Sequence, residues 1–208
     1  MGINRIKMIL DGGFWSKECL TNLQDFCDAF TVGMPLYLNE SERILAVYGT
    51  DIEKYKNELS RHHIYCVPIN MEIYGVPGRV LIYYDSYNHL NQSHEMSNYI
   101  NRLKAELAAL VRYPESKLSR YTPYFVLTKN EQDSGFDYAV DTDKVEKMRE
   151  SKGYFLLFST DMESNPSVLL DYYCAKDADE KLFAQTRLTW TVTAFEHITR
   201  RQPKVKDL

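Results

Sequence analysis

The sequence has no uninterrupted apolar run of about 18 residues, so no segment is expected to cross a bilayer as a helix and no membrane partner is expected. Its opening, MGINRIKMILDGG, lacks the basic, apolar and small-residue regions of a secretory leader. Cysteine is scarce: Cys19, Cys27, Cys66 and Cys174 form no C-x-x-C pair, and no histidine stands at a zinc-like spacing to them. That excludes a disulfide scaffold and a structural zinc site, and predicts reduced, mostly buried thiols in a cytoplasmic protein. Basic residues do not prevail: 25 Lys and Arg face 29 Asp and Glu, a net charge of −4. A protein that coats nucleic acid regardless of sequence is usually basic, so any such contact here must be local. The glycine stretches DGG and YGVPG lack the lysine and spacing of a phosphate-cradling loop. His62 and His63 are adjacent and diverge, and His89 and His94 share a helix face poorly, so neither pair predicts a metal site.

What is present is the material of a folded domain. Apolar residues make up 44% of 208, and sixteen are tyrosine. That composition excludes disorder and allows a sizeable core. INRIKMIL at 3–10 alternates and then turns apolar, predicting a strand that ends at Asp11-Gly12-Gly13. Ser16 is a helix cap with Glu18 in the first turn, and Leu20, Leu23, Cys27 and Phe30 follow on one face. FTVGMPLYL at 30–38 predicts the next strand, completing a strand–helix–strand unit of a parallel α/β sheet.

The middle reads as mixed α+β: a short helix near 51–61, a strand at 78–85, a long helix over about 92–112, and strands at 121–128 and 135–140. GYFLLFST at 153–160 is apolar throughout, as a strand buried on both faces would be. Asn165-Pro166 then starts a helix predicted to run to about 188. The tail RRQPKVKDL holds four cations and one acid and predicts a frayed, solvated terminus. No internal repeat or low-complexity linker divides the chain.

Two stretches carry candidate chemistry. Asp11 closes a strand and precedes glycines, the place where an open α/β sheet collects ligands and catalytic groups. Asp-Gly-Gly is also ordinary turn chemistry. YYCAKDADEKLFAQTR at 172–187 places Tyr173, Lys176, Glu180 and Arg187 along one helical stripe. A solvated face with paired charges would look similar. A stripe of this kind also suits phosphate, with the cations and the tyrosine hydroxyl on backbone oxygens and the acid on a divalent ion.

The spacing Tyr173, Lys176, Glu180, Arg187 resembles the Tyr-Arg-Glu-Lys signature of DDE transposases of the insertion-sequence-four group, with both cations exchanged. Asp11-Gly12-Gly13-Phe14 resembles the same family's Asp, any residue, Gly or Ala, Phe motif, and WSKECLTNL continues the likeness. The two occur in the family's order, and the resemblance spans roughly residues 1–188. It implies an α/β fold: a partial RNase H-like catalytic core interrupted by a mixed α+β insertion. The implied organisation is a first core part at 1–38, an insertion at 39–150, a return strand and Glu helix at 151–190, and a divergent tail at 191–208.

The resemblance implies that Asp11 is the second acid and Glu180 the third, both ligands of Mg²⁺ or Mn²⁺. Two such ions activate the attacking oxygen and steady the leaving one in phosphodiester displacement. Tyr173, Lys176 and Arg187 would contact phosphates of transposon-end DNA. Trp15 would stack on a base or pack in the core.

One departure matters. The family's first acid lies on an earlier strand, and none of the ten residues before Asp11 is acidic. Asp51, Asp85 and Asp161 come too late in the chain to replace it. The expectation is therefore a fragment lacking the first strands and the DNA-binding region, inactive alone and weak in metal binding. It could still bind DNA, pair with full-length transposase or with itself, and inhibit, or have no function.

Overall fold

The computed structural model describes residues 6–59, 62–130 and 135–176. They form a mixed α/β architecture, with a six-stranded sheet between helices and a smaller two-stranded sheet beside it.

The chain opens with β1 (Lys7–Leu10), a single 3₁₀ turn over Gly12–Phe14 and α1 (Lys17–Phe26). Ser16 caps α1 as its sequence suggests, its Oγ accepting from the Cys19 N–H at 3.1 Å. β2 (Ala29–Met34) returns parallel to β1, with Leu10 opposite Val32. It stops at Pro35, short of the predicted residue 38, because proline has no N–H to donate to a ladder. The next element is α2 (Asn39–Tyr48), where no helix was expected. The helix predicted near 51–61 is instead turns, a short 3₁₀ segment and β3 (Glu58–Leu59).

β4 (Ile64–Ile73) and β5 (Val76–Tyr84) form a long hairpin. Its two-residue turn has positive φ at both Tyr74 (54°) and Gly75 (85°), the conformation that matches strand twist. β4 escaped prediction because Pro68 and the polar residues Asn70 and Glu72 break its apolar pattern; they lie on one exposed face of the strand.

α3 (Ser86–Ala108) starts six residues earlier than predicted at 92, because Asp85 caps it, accepting from the Asn88 N–H at 2.8 Å. After α4 (Leu118–Tyr121) come β6 (Phe125–Lys129), β7 (Phe136–Val140) and α5 (Thr142–Glu150). These elements share their own core with α3, built on Met96, Ile100, Leu103, Leu107 and Phe125. β8 (Tyr154–Ser159) then returns to the main sheet, and α6 covers residues 166–176.

The strand order is β1-β2-β8-β5-β4-β3, and only β1 and β2 run parallel. β3, β4 and β5, all within the expected insertion, are thus strands of the main sheet. Alternation along β5 and β8 separates two faces. Val80, Ile82, Leu156 and Phe158 meet Leu20 and Leu23 of α1 on one side. Leu81, Tyr83 and Leu157 meet Leu169 and Leu170 of α6 on the other. Among the described residues no helix is long and apolar enough to cross a membrane.

Candidate functional site at the end of the parallel strands

Asp11 leaves the C-terminal end of β1, and its Oδ1 accepts from the Gly13 N–H at 2.6 Å. The loop closes with Phe14 N–H donating to the Asp11 carbonyl and Trp15 N–H to that of Gly12, both at 3.2 Å. Neighbouring β2 carries Gly33, fully inside the sheet. A Cβ on Gly33 would stand 2.7 Å from the Tyr173 hydroxyl and 2.9 Å from the Gly12 backbone nitrogen. The missing side chain is thus the space into which Tyr173 reaches. Tyr173 of the second motif and Gly12 of the first thus border the same space over Gly33.

α6 is held in place to do this. Asn165 Oδ1 accepts from the Ser167 N–H at 2.9 Å, and its carbonyl accepts from Val168 and Leu169. The Tyr83 hydroxyl donates to the Pro166 carbonyl at 2.8 Å, and Arg79 donates to that of Ser164. Leu169 and Leu170 are buried on the sheet, and Tyr173 packs against the same cluster. At the last residue of the described helix, the Lys176 ammonium lies 4.8 Å from the centre of the Tyr173 ring, a cation–π arrangement.

Of the residues expected from the sequence, Asp11, Tyr173 and Lys176 belong to this end of the molecule. Trp15 does not present its ring for stacking on a base. It packs into the main core, 6.2 Å from the Phe158 ring and 6.4 Å from that of Tyr74. Glu180 and Arg187 lie outside the described residues.

The other acids are occupied elsewhere. Asp51 pairs with Lys54 at 2.7 Å, and Asp85 caps α3 with β2 and β8 between β5 and Asp11's strand. Asp161 follows β8, which runs against β2, so it lies at the opposite end of the sheet from Asp11. It accepts from Lys7 Nζ and Ser164 Oγ, both at 2.6 Å, and from the backbone of Glu163 and Ser164. Burial alone would raise its pKa, but these hydrogen bonds outweigh burial and hold the carboxyl well below the usual range.

His62 Nε2 lies 3.2 Å from Asp171 and His89 Nδ1 lies 2.9 Å from the Lys152 carbonyl. Of the cysteines, only Cys66 is buried, its thiol pushed up to about 12 by desolvation; Cys19 and Cys27 are half-buried and Cys174 is exposed, so the expectation of mostly buried thiols is corrected.

Among the described residues no three His, Cys, Asp or Glu side chains converge. Asp11 offers one carboxylate, with one oxygen already engaged, so a divalent ion there needs a second acid.

Sequence reasoning missed Gly33, although a glycine within the apolar strand FTVGM is a sign of close backbone approach. It also gave no role to two aromatics exposed at this end, Phe14 of the first motif and Tyr37. No protein-family model matches the chain, and no curated protein or solved structure shows significant similarity to it.

Proposed function

We propose that this chain carries the second-acid strand and the Glu helix of a DDE transposase catalytic domain with an RNase H-like core. The observation that supports this most is that the Tyr173 hydroxyl and the Gly12 backbone nitrogen both border the space that Gly33 leaves open. A turn sequence and a solvated helix stripe have no reason to meet, whereas parts of one site do. The parallel pair β1–β2 joined by α1, followed later by a buried strand and α6, also agrees with the order the two motifs imply.

In this reading Asp11 and Glu180 hold Mg²⁺ or Mn²⁺, which would supply the activated oxygen and leaving-group stabilisation of phosphodiester cleavage and strand transfer. Tyr173, Lys176 and Arg187 hold phosphates of transposon-end DNA. Asp51, Asp85 and Asp161 are each engaged away from Asp11, so the first acid has no substitute among them. The chain alone then binds DNA without cutting it. An inhibitory role through pairing with full-length transposase, or with a second copy, is favoured by β1, which has no neighbour on its outer side among the described residues.

The test combines fluorescence anisotropy on duplex DNA at low salt with nicking of supercoiled plasmid in Mg²⁺ or Mn²⁺. Binding that weakens with salt and is reduced severalfold by Lys176→Gln, without nicking, is the expected result. Absence of DNA binding would sink the reading. Nicking that disappears in Asp11→Asn would keep the family reading but overturn the inactivity.

A further inference from the structure

We infer that β1 pairs antiparallel with β1 of a second copy of this chain, in the register that sets Ile9 opposite Ile9 and Lys7 opposite Asp11. The inference rests on the reading above that the free side of β1 takes a second copy, and it names the groups that hold it. Among the described residues no strand lies beyond β1. The Ile6 carbonyl accepts from the Asp28 and Ala29 N–H groups, so Ile6 turns its backbone towards β2. In a parallel ladder alternate residues bond to opposite sides. Met8 and Leu10 therefore bond to β2 as Ile6 does, and Lys7 and Ile9 direct their N–H and C=O groups outward. Asp11 is extended, with φ −80° and ψ 173°, so the outward row runs on to its N–H.

The outward residues Lys7, Ile9 and Asp11 are spaced evenly about Ile9 in the stretch KMILD. Such a row is self-complementary about a two-fold axis. Two copies of Ile9 exchange both of their hydrogen bonds, at about 5.5 Å between Cα atoms. At each end the Asp11 N–H of one copy donates to the Lys7 carbonyl of the other. Residues two apart share a face of a strand, so the Lys7 side chain meets that of Asp11 in the second copy, twice by symmetry. Parallel pairing in register would set lysine beside lysine and aspartate beside aspartate. The charges therefore select an antiparallel partner, and a second copy of this chain carries them in the order required.

Both charged groups are open to a partner. The Lys7 side chain is 53% exposed, and its ammonium donates to Asp161 Oδ2 at 2.6 Å and Ser164 Oγ at 3.3 Å, which leaves one of its three protons. Asp11 engages Oδ1 with the Gly13 N–H and keeps Oδ2 for a second donor. Between them the strand is apolar and free of proline: Met8, Ile9 and Leu10 are half-buried, and Ile6 just before them is exposed. A lysine on an edge strand ordinarily discourages pairing. Asp11 of the second copy reverses that here. Pairing also sets the second copy's Lys7 against the carboxylate that the proposed function gives to a metal ion, which agrees with an inhibitory chain.

The test is sedimentation velocity on the full chain over a wide concentration range, at low and high salt. A reversible dimer that weakens with salt is expected. Asp11→Lys sets like charges opposite each other at both ends of the pair and should weaken the dimer severalfold; Asp11→Asn removes only the attraction and should weaken it less. Both variants leave the Lys7–Asp161 pair in place, and circular dichroism checks the fold. Ile9→Cys in a Cys174→Ser background, which removes the exposed native thiol, should crosslink position 9 to itself between copies on mild oxidation. The Cα separation of about 5.5 Å lies within disulfide reach. A monomer at every concentration overturns the inference, as does a dimer that Asp11→Lys leaves unchanged or whose crosslinks map away from position 9. DNA binding, read by anisotropy on the same samples, tests the proposed function separately. A monomer that binds DNA overturns the pairing alone, and a dimer that binds no DNA overturns the DNA reading alone.

Discussion

Gly33 makes the site depend on one absent methyl group. Gly33→Ala would place a carbon 2.7 Å from the Tyr173 hydroxyl and 2.9 Å from the Gly12 nitrogen, and backbone cannot yield as a flexible side-chain tip can. The expected cost is about 2 kcal/mol in urea unfolding, the scale of overpacking a filled interior. Tyr173→Phe removes one of the two clashing atoms, so the double variant should be more stable than the sum of the singles predicts. At the thiols, Cys174 is exposed and Cys66 is buried with a pKa of about 12. Mass spectrometry after brief alkylation at pH 8 should find Cys174 modified in the native protein and Cys66 only in denaturant.

At the scale of elements, α6 matters most, because it delivers Tyr173. Tyr83 on β5 pins its first turn through the Pro166 carbonyl at 2.8 Å. Tyr83→Phe should cost about 1–2 kcal/mol, and native-state hydrogen exchange should quicken in α6 before the sheet. Elements with strong local signals were legible. Ser16 announced α1, the apolar run announced β8, and Asn165-Pro166 announced α6. Elements whose signal is split by tertiary contacts were not. α2 has no side-chain cap hydrogen bond to mark its start, and in β4 Pro68 argues against a strand although Ile69, Met71 and Ile73 alternate with Asn70 and Glu72 as a half-exposed strand does.

For the molecule as a whole, the buried Asp161 ties the start of β1 to the turn before α6. Its folded pKa lies below the unfolded value of about 3.9, so its contribution is full above that value and is lost as pH falls below it. Asp161→Asn should therefore be less stable than wild type by about 2 kcal/mol near neutrality. The gap should close as pH falls from about 5 towards 2, as urea midpoints at pH 7 and pH 3 would show. A gap that persists unchanged at low pH would mean that the hydrogen bonds, not the charge, carry the effect.

The sequence by itself determined that the chain buries a core, that a strand ends at Asp11, and that Tyr173 and Lys176 share a helix. These follow from local chemistry: a two-residue period in strands, near-3.6 in helices, and polar side chains that cap the first turn. It could not decide that β3, β4 and β5 join the main sheet, because strand neighbours are chosen by long-range pairing that leaves no local mark. Nor could it decide that Trp15 faces inward and Phe14 outward, since both rings are equally apolar and only the position of Phe158 and Tyr74 distinguishes them. The meeting of Asp11's loop with Tyr173 is likewise tertiary. It requires a helix docked across two strands and a glycine at the one point where their backbones leave room.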